Sequence, residues 1–263
     1  MPEDRPNLFR LDGQHVLITG AGGGIGRALV AVFSAAGAKV SGADREASLL
    51  DDVDLAHRLV FDLADGTAAR AAATRFVAEA GAPDILVSNA GFTSAETLDQ
   101  VDGAVWEREL AINLTGAFNV AAPVVDAMAK RGSGAVLFIA SVNGLAYYGN
   151  PAYSAAKAGL IAYARAIAME RGASGVRANV ICPGSVRTRA WDHRFARDPE
   201  LNSKLLPQYP LGRMVLPEEV ARAALFLASP AASGITGAVL PVDAGLTAGN
   251  LRFVNEVIAV EPS

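Results

Sequence analysis

A tyrosine and a lysine stand four residues apart, at positions 153 and 157, in "NPAYSAAKAGL" (150–160), a run made mostly of small residues. On a helix that interval is just over one turn, so Tyr153 and Lys157 share a face, with phenol and ammonium within mutual reach. A phenol beside a fixed cation can serve as a general base. A free tyrosine has a pKa of about 10, and bringing it to neutrality takes roughly 3 units, or about 4 kcal/mol. A neighbouring positive charge works in that direction. The same spacing occurs on ordinary surface helices, so the pair acquires meaning only from the rest of the chain.

A second group of residues suits phosphate. In "TGAGGGIGRAL" (19–29), Gly20, Gly24 and Gly26 follow a Gly-x-x-x-Gly-x-Gly spacing directly after an apolar run and before a helical pattern. Glycines so placed allow a tight turn, close backbone approach to a pyrophosphate and close packing of the next helix, whose N-terminal amides face the phosphates. Asp44 lies eighteen residues past Gly26, at the end of the next apolar run. A dinucleotide fold places there the acid that bonds the adenosine ribose hydroxyls. Its charge would repel a 2′-phosphate and favours NAD over NADP. Arg45 beside it could instead pair with such a phosphate, while position 23, often basic in NADP users, is glycine. An Asp after a strand can also simply cap a helix.

These residues need elements to hold them. Short apolar runs ("HVLITG", "AKVSGAD", "RLVFD", "DILVSNAG", "GAVLFIAS", "VRANVICPG", "AVLPVD") alternate with Ala-rich helical patterns over 24–36, 65–80, about 104–130, 152–171 and 217–228. Runs apolar throughout predict strands covered on both faces, hence a parallel sheet in an α/β protein. The expectation is a single Rossmann-fold domain over 1–263, a doubly wound parallel sheet of about seven strands with helices on both faces. The longest irregular stretch, about 184–215, has a length that usually marks a functional segment such as a lid.

Composition narrows the class. The chain has 263 residues, 26 of them Gly and only 6% aromatic, which favours close helix-to-sheet packing by small side chains. With 23 basic and 27 acidic residues the net charge is −4, and the basic residues are scattered, so nucleic acid is excluded as a partner. The single cysteine, Cys182, allows no internal disulfide, and His15, His57 and His193 show no ligand spacing, so no metal is expected. A reducing cytoplasm fits. The charged start "MPEDRPNLFRLDG" lacks an apolar signal core, and no apolar run reaches the roughly 18 residues of a membrane span.

With these residues placed, the chain resembles the classical short-chain dehydrogenase/reductase family from about Leu11 to Gly245. The matching marks are "TGAGGGIG", Asp62 in "FDLAD", "NAG" at 89–91, Asn113 in "AINLTGAF", Ser141 in "IASVNG", "YSAAK" at 153–157 and "PGSVRT" at 183–188. The resemblance implies hydride transfer between a nicotinamide cofactor and a secondary alcohol or its ketone, with Asn113, Ser141, Tyr153 and Lys157 as the catalytic tetrad. Tyr153 would take the hydroxyl proton. Lys157 would favour phenolate and face the cofactor ribose, Ser141 would donate to the substrate oxygen, and Asn113 would anchor a water relaying protons to Lys157. Cofactor contacts are implied for Gly20, Gly24, Ile25 and Gly26, and for Asp62 and Leu63 at the adenine. Asn89, Ala90 and Gly91 would line the cleft, with Pro183, Gly184, Val186 and Thr188 at the nicotinamide carboxamide and phosphates. Two positions depart from the family pattern: Ser88 stands before "NAG", and Ala244 replaces the first glycine of a usual "DGG".

Three functional readings follow. The first is an NAD-dependent dehydrogenase for a polyol, sugar or hydroxy-acyl compound. The second is an NADP-dependent 3-oxoacyl-type reductase, opposed by Asp44. The third is a non-catalytic dinucleotide sensor, which predicts loss of Tyr153, Lys157 or Ser141, all of which are present. Specificity is expected near 92–100, 142–151 and 184–215, where Trp191, Asp192 and His193 either meet substrate or form a solvated surface. The tail 249–263 carries Leu251, Phe253, Val254, Val257, Ile258 and Val260, too apolar for a solvated terminus. Since members of the family commonly form tetramers, the tail is expected at a homotetramer contact, reaching toward the edge of a substrate cleft, or else folded on its own subunit or disordered in part.

Overall fold

The computed structural model describes residues 7–198 and 200–259. Strand β1 (His15–Thr19) leads through the glycine turn into α1 (Gly24–Ala35), followed by β2 (Lys39–Asp44) and the short β3 (Arg58–Val60). Helix α2 (Gly66–Ala80) starts where the Asp65 carboxylate accepts the Ala68 amide at 2.9 Å. Then come β4 (Ile85–Ser88), α3 (Gly103–Leu110), a π turn (Ala111–Thr115) and α4 (Gly116–Arg131), which stops at left-handed Gly132. Strand β5 (Gly134–Ile139) precedes α5 (Pro151–Arg171), whose first residue is a proline that needs no amide partner there. The chain continues through β6 (Val176–Pro183), α6 (Arg189–Arg197), α7 (Leu201–Leu205), α8 (Pro217–Ala228), β7 (Val239–Val242) and a terminal turn α9 (Leu251–Phe253) extended by a π turn (Val254–Ile258).

All seven strands pair in parallel in the order β3-β2-β1-β4-β5-β6-β7. Successive strand residues enter opposite layers. Ile18 joins Leu29 and Phe33 of α1 and Val220 and Leu227 of α8, whereas Leu17 joins Phe76 of α2, Val124 and Met128 of α4 and Leu160 of α5. This is why the strand sequences are apolar without alternation. Each fully buried Leu or Phe here contributes roughly 1.5–3 kcal/mol over an exposed one. On α5, Ala152, Ala156, Ala164 and Ala168 are buried, so the helix lies close to the sheet and presents its polar residues at one end of it.

The strand order reverses between β1 and β4, and at such a switch point a crevice opens beyond the carboxyl ends of the strands. Every expected site residue lies at or near those ends.

Two expectations change. The stretch Gly103–Arg131 forms one continuous helical rod, long and apolar enough by length and composition to cross a membrane. It packs instead against α2, α5 and the sheet, with Val120, Val124 and Met128 in the core. The tail buries only part of its apolar surface on its own chain: Leu251 is half-buried, next to the turn Leu206–Gln208, whereas Phe253, Val254, Val257 and Ile258 are about half or more exposed. Val260 lies outside the described residues.

Candidate active site

The first half of the site is built from backbone. Gly20 follows β1 with φ +65°, a left-handed conformation that only glycine adopts freely. At Gly26 an added Cβ would fall 1.9 Å from the Gly20 carbonyl oxygen, so the turn and the start of α1 touch backbone to backbone. Asn89 braces this turn, its Nδ2 donating to the Thr19 and Gly20 carbonyls at 3.1 and 3.2 Å, while the Asn89 and Ala90 amides donate to Thr19 Oγ1. Asp44 closes the far side: Oδ2 accepts the Gly22 amide at 3.0 Å and Oδ1 the Arg45 amide at 2.8 Å. The Arg45 guanidinium is turned to Glu46 at 3.1 Å, so a carboxylate already compensates its charge.

Together these residues, with Ile25, Asp62, Leu63, Ala90, Gly91 and Thr188, line a cavity of about 730 Å³. Glycine backbone at the start of a helix, an acid at the end of β2 and an elongated cavity between them fit a dinucleotide. Ile25, Asn89, Gly91, Phe92 and Thr188 also line a second cavity of about 840 Å³, which holds Ser141, Tyr153 and Lys157 together with Pro183, Gly184 and Val186. The two cavities are halves of one cleft.

In the second half, Tyr153 and Lys157 do share one face of α5. Lys157 Nζ lies 5.3 Å from the Tyr153 ring centroid and donates to the Ile139 carbonyl at 2.9 Å. Lys157 is buried, and that burial pulls its ammonium down to about 8. Tyr153 keeps partial exposure through the cleft. Loss of hydration pushes its phenol up to about 12, with the nearby Ser141 hydroxyl acting in the lowering direction. In the protein by itself burial, not the neighbouring cation, dominates the phenol. Ser141 Oγ also accepts the Asn143 amide at 3.1 Å and donates to Asn143 Oδ1 at 3.2 Å. Cys182, expected to be a small buried hydrophobe, is buried beneath this site, which raises its thiol to about 11.

Asn113 sits in the π turn between α3 and α4 and is almost fully buried. Its Nδ2 donates to the Phe92 and Glu109 carbonyls at 2.6 and 2.9 Å, and its Oδ1 accepts the Phe92 amide at 3.0 Å. A Cβ built on Gly91 would lie 3.0 Å from Asn113 Oδ1 and 3.2 Å from Lys157 Nζ, so both groups converge on that glycine.

Three residues at the site went unread in the sequence. Glu109 is completely buried, and its carboxylate accepts the Ser94 amide at 2.6 Å, Ser94 Oγ at 3.0 Å, Thr93 Oγ1 at 3.2 Å and the Ala95 amide at 3.3 Å. Asn150, with φ 55°, caps α5 and donates through Nδ2 to the Ala95 carbonyl at 2.8 Å and to Thr93 Oγ1 at 3.1 Å. The loop after β4 is thus tied to the helix carrying Tyr153. Asn143 donates to the Gly149 carbonyl and Ser154 Oγ as well as bonding Ser141. An acid four residues before Asn113 on an otherwise apolar helix face was the available signal for Glu109.

The outer wall comes from the segment after β6. Trp191, Arg194, Leu205, Gln208 and Tyr209 line the cleft, and Tyr209 donates to Ser185 Oγ at 2.7 Å. Of the three lid candidates only Trp191 lines it. Asp192 pairs with Arg187 at 2.9 Å, and His193 is exposed. Among the described residues no cluster of three or more His, Cys, Asp or Glu could hold a metal ion.

Comparison with known proteins places these features in context. The family profile described as Enoyl-(Acyl carrier protein) reductase matches residues 20–247. Galactitol 2-dehydrogenase (L-tagatose-forming) of Cereibacter sphaeroides is 40% identical over 255 residues, covering 93% of this chain and 99% of that protein. Among solved structures, an oxidoreductase of the short chain dehydrogenase/reductase family from Burkholderia thailandensis superposes with a TM-score of 0.87 at 44% identity, covering 94% of this chain and 98% of the other. A gluconate 5-dehydrogenase from Burkholderia cenocepacia J2315, in complex with NADP and tartrate, gives 0.84 at 34% identity, with coverage of 92% and 98%.

Proposed function

The chain belongs to the short-chain dehydrogenase/reductase family, whose members bind a nicotinamide dinucleotide and act on CH–OH groups, and we propose that it is an NAD-dependent dehydrogenase interconverting a polyol-, sugar- or hydroxy-acyl-type secondary alcohol and its ketone. The observation that carries this reading is the placement of Ser141, Tyr153 and Lys157 in the cavity that adjoins the glycine cradle. A bound oxidised nicotinamide would supply the hydride acceptor and a positive charge, with Pro183, Gly184, Val186 and Thr188 to hold it. Tyr153 Oη takes the alcohol proton as the carbon gives up that hydride, so the alcohol leaves as a ketone and the phenol is neutral again. Ser141 steadies the substrate oxygen. Asn113, converging with Lys157 on Gly91, anchors the water through which Lys157 exchanges the proton with solvent.

Gly20, Gly24, Ile25 and Gly26 form the phosphate cradle in this reading. Asp62 and Leu63 hold the adenine, Asn89, Ala90 and Gly91 floor the cleft, and Pro183, Gly184, Val186 and Thr188 hold the nicotinamide end. Preference for NAD rests on Asp44 at the cleft wall and on Arg45 being paired with Glu46. The NADP held by the gluconate 5-dehydrogenase keeps a dual-cofactor enzyme as the second reading. One domain, with the 184–215 segment as lid, works as a cytoplasmic homotetramer whose exposed tail supplies part of the contact.

Tyr153→Phe tests the assignment, since it removes only the ionisable oxygen. Turnover should fall by more than tenfold, at least about 1.4 kcal/mol in barrier, with NAD affinity by fluorescence titration nearly unchanged. A variant keeping over a tenth of the wild-type rate would remove Tyr153 as the base.

A further inference from the structure

Two opposite charges meet across the substrate half of the cleft, one on each wall. Arg194 Nη2, on α6, lies 3.0 Å from Glu96 Oε1, in the loop after β4. Both residues line the cavity that holds Ser141 and Tyr153. Among the described residues the only other charged side chain lining it is Lys157, which is buried and committed to the Ile139 carbonyl.

The two walls differ in how firmly they are held. Glu96 has its carbonyl bonded by the Asn150 amide at 2.9 Å and its amide bonded to Gln100 Oε1 at 2.6 Å, beside residues clamped by Glu109. Its backbone is therefore fixed to the start of the helix that carries Tyr153. Arg194 belongs to the outer segment and stacks on Trp191, with its guanidinium 4.6 Å from the ring centroid. The two side chains are 40% and 61% exposed, and an ion pair that open adds about 0–1 kcal/mol to stability. Its consequence is for what enters the cleft.

Paired, the charges cancel at the rim. A ligand carboxylate that approaches Arg194 meets the negative charge of Glu96, held beside it by a pinned backbone, and gains a bidentate grip on the paired Nη2 only by displacing that carboxylate. A neutral chain of hydroxyls donates to Glu96 and accepts from Arg194 at once, leaving the charges balanced. We propose that the Glu96–Arg194 pair is a specificity determinant that admits neutral, hydroxyl-rich substrates and rejects carboxylates of the same length. This rests on the alcohol dehydrogenase reading above and narrows its substrate class.

The test is calorimetric titration of the NADH-loaded protein with galactitol and with galactonate, the aldonate of the same carbon chain, with turnover of both measured in parallel. Wild type should bind the alditol at least tenfold more tightly. Glu96→Gln, which frees Arg194, should shift the ratio tenfold or more toward the aldonate, and Arg194→Gln should shift it the other way. A wild-type ratio near one, an unchanged ratio in Glu96→Gln, or binding of neither ligand overturns the inference. The expected ratios without turnover of either compound uphold it and remove the dehydrogenase activity instead. Equal binding and turnover of both do the reverse.

Discussion

Lys157→Met should stabilise the protein without cofactor while abolishing turnover. Burial lowers the Lys157 ammonium from 10.5 to about 8, about 3 kcal/mol of penalty for carrying the charge at pH 7. Methionine fills a similar volume without a charge. Against this stands the 2.9 Å bond from the charged ammonium to the Ile139 carbonyl, whose loss costs about 1.5–3 kcal/mol. The net gain is up to about 1.5 kcal/mol at pH 7, or up to roughly 6 °C in Tm. The pH dependence carries a second signature. Below pH 8 both folded and unfolded chains hold the proton, so the wild type bears the full penalty. Between about 8 and 10.5 the folded chain releases its proton first, the unfolded state binds more protons, and wild-type stability rises relative to the variant. Above 10.5 the penalty is gone and only the lost hydrogen bond remains, so the order of stabilities reverses within that window. Urea denaturation followed by circular dichroism from pH 7 to 10.5 measures both. A variant less stable than wild type at pH 7, or a difference flat across the range, would refute the argument that burial of the ammonium is an uncompensated cost.

Asp44→Ala should weaken NAD by roughly ten- to a hundredfold, the worth of hydrogen bonds to a charged acceptor, and should raise the NADP-to-NAD ratio of kcat/KM; equal wild-type efficiency with the two cofactors would rule out Asp44 as the selector. Deleting residues 250–263 should dissociate or weaken the oligomer, because Phe253, Val254, Val257 and Ile258 are exposed on the single chain; unchanged mass by light scattering together with unchanged turnover would refute a role for the tail in assembly.

The parts of the site that were legible in the sequence are those whose partners lie close along the chain. The glycine turn, Asp44 and the Tyr153–Lys157 pair each depend on one strand, one turn or one helix, and apolar runs without alternation are enough to place those elements in a doubly covered parallel sheet. Glu109 was opaque because its ligands, Thr93, Ser94 and Ala95, lie across a loop whose path only the tertiary fold sets. Glu96 and Arg194, ninety-eight positions apart, were opaque for the same reason. The phenol shows a subtler limit. Spacing correctly put Lys157 on the face of Tyr153, but spacing carries no information about dehydration, and in the fold the ammonium is bonded to a strand carbonyl while burial raises the phenol. Burial thus moves the phenol away from neutrality and the ammonium toward it. A second positive charge in the adjoining cavity would favour phenolate and lower Tyr153. Which charge stands in that cavity is set by what binds there, and this is information that neither spacing nor the chain's own burial carries.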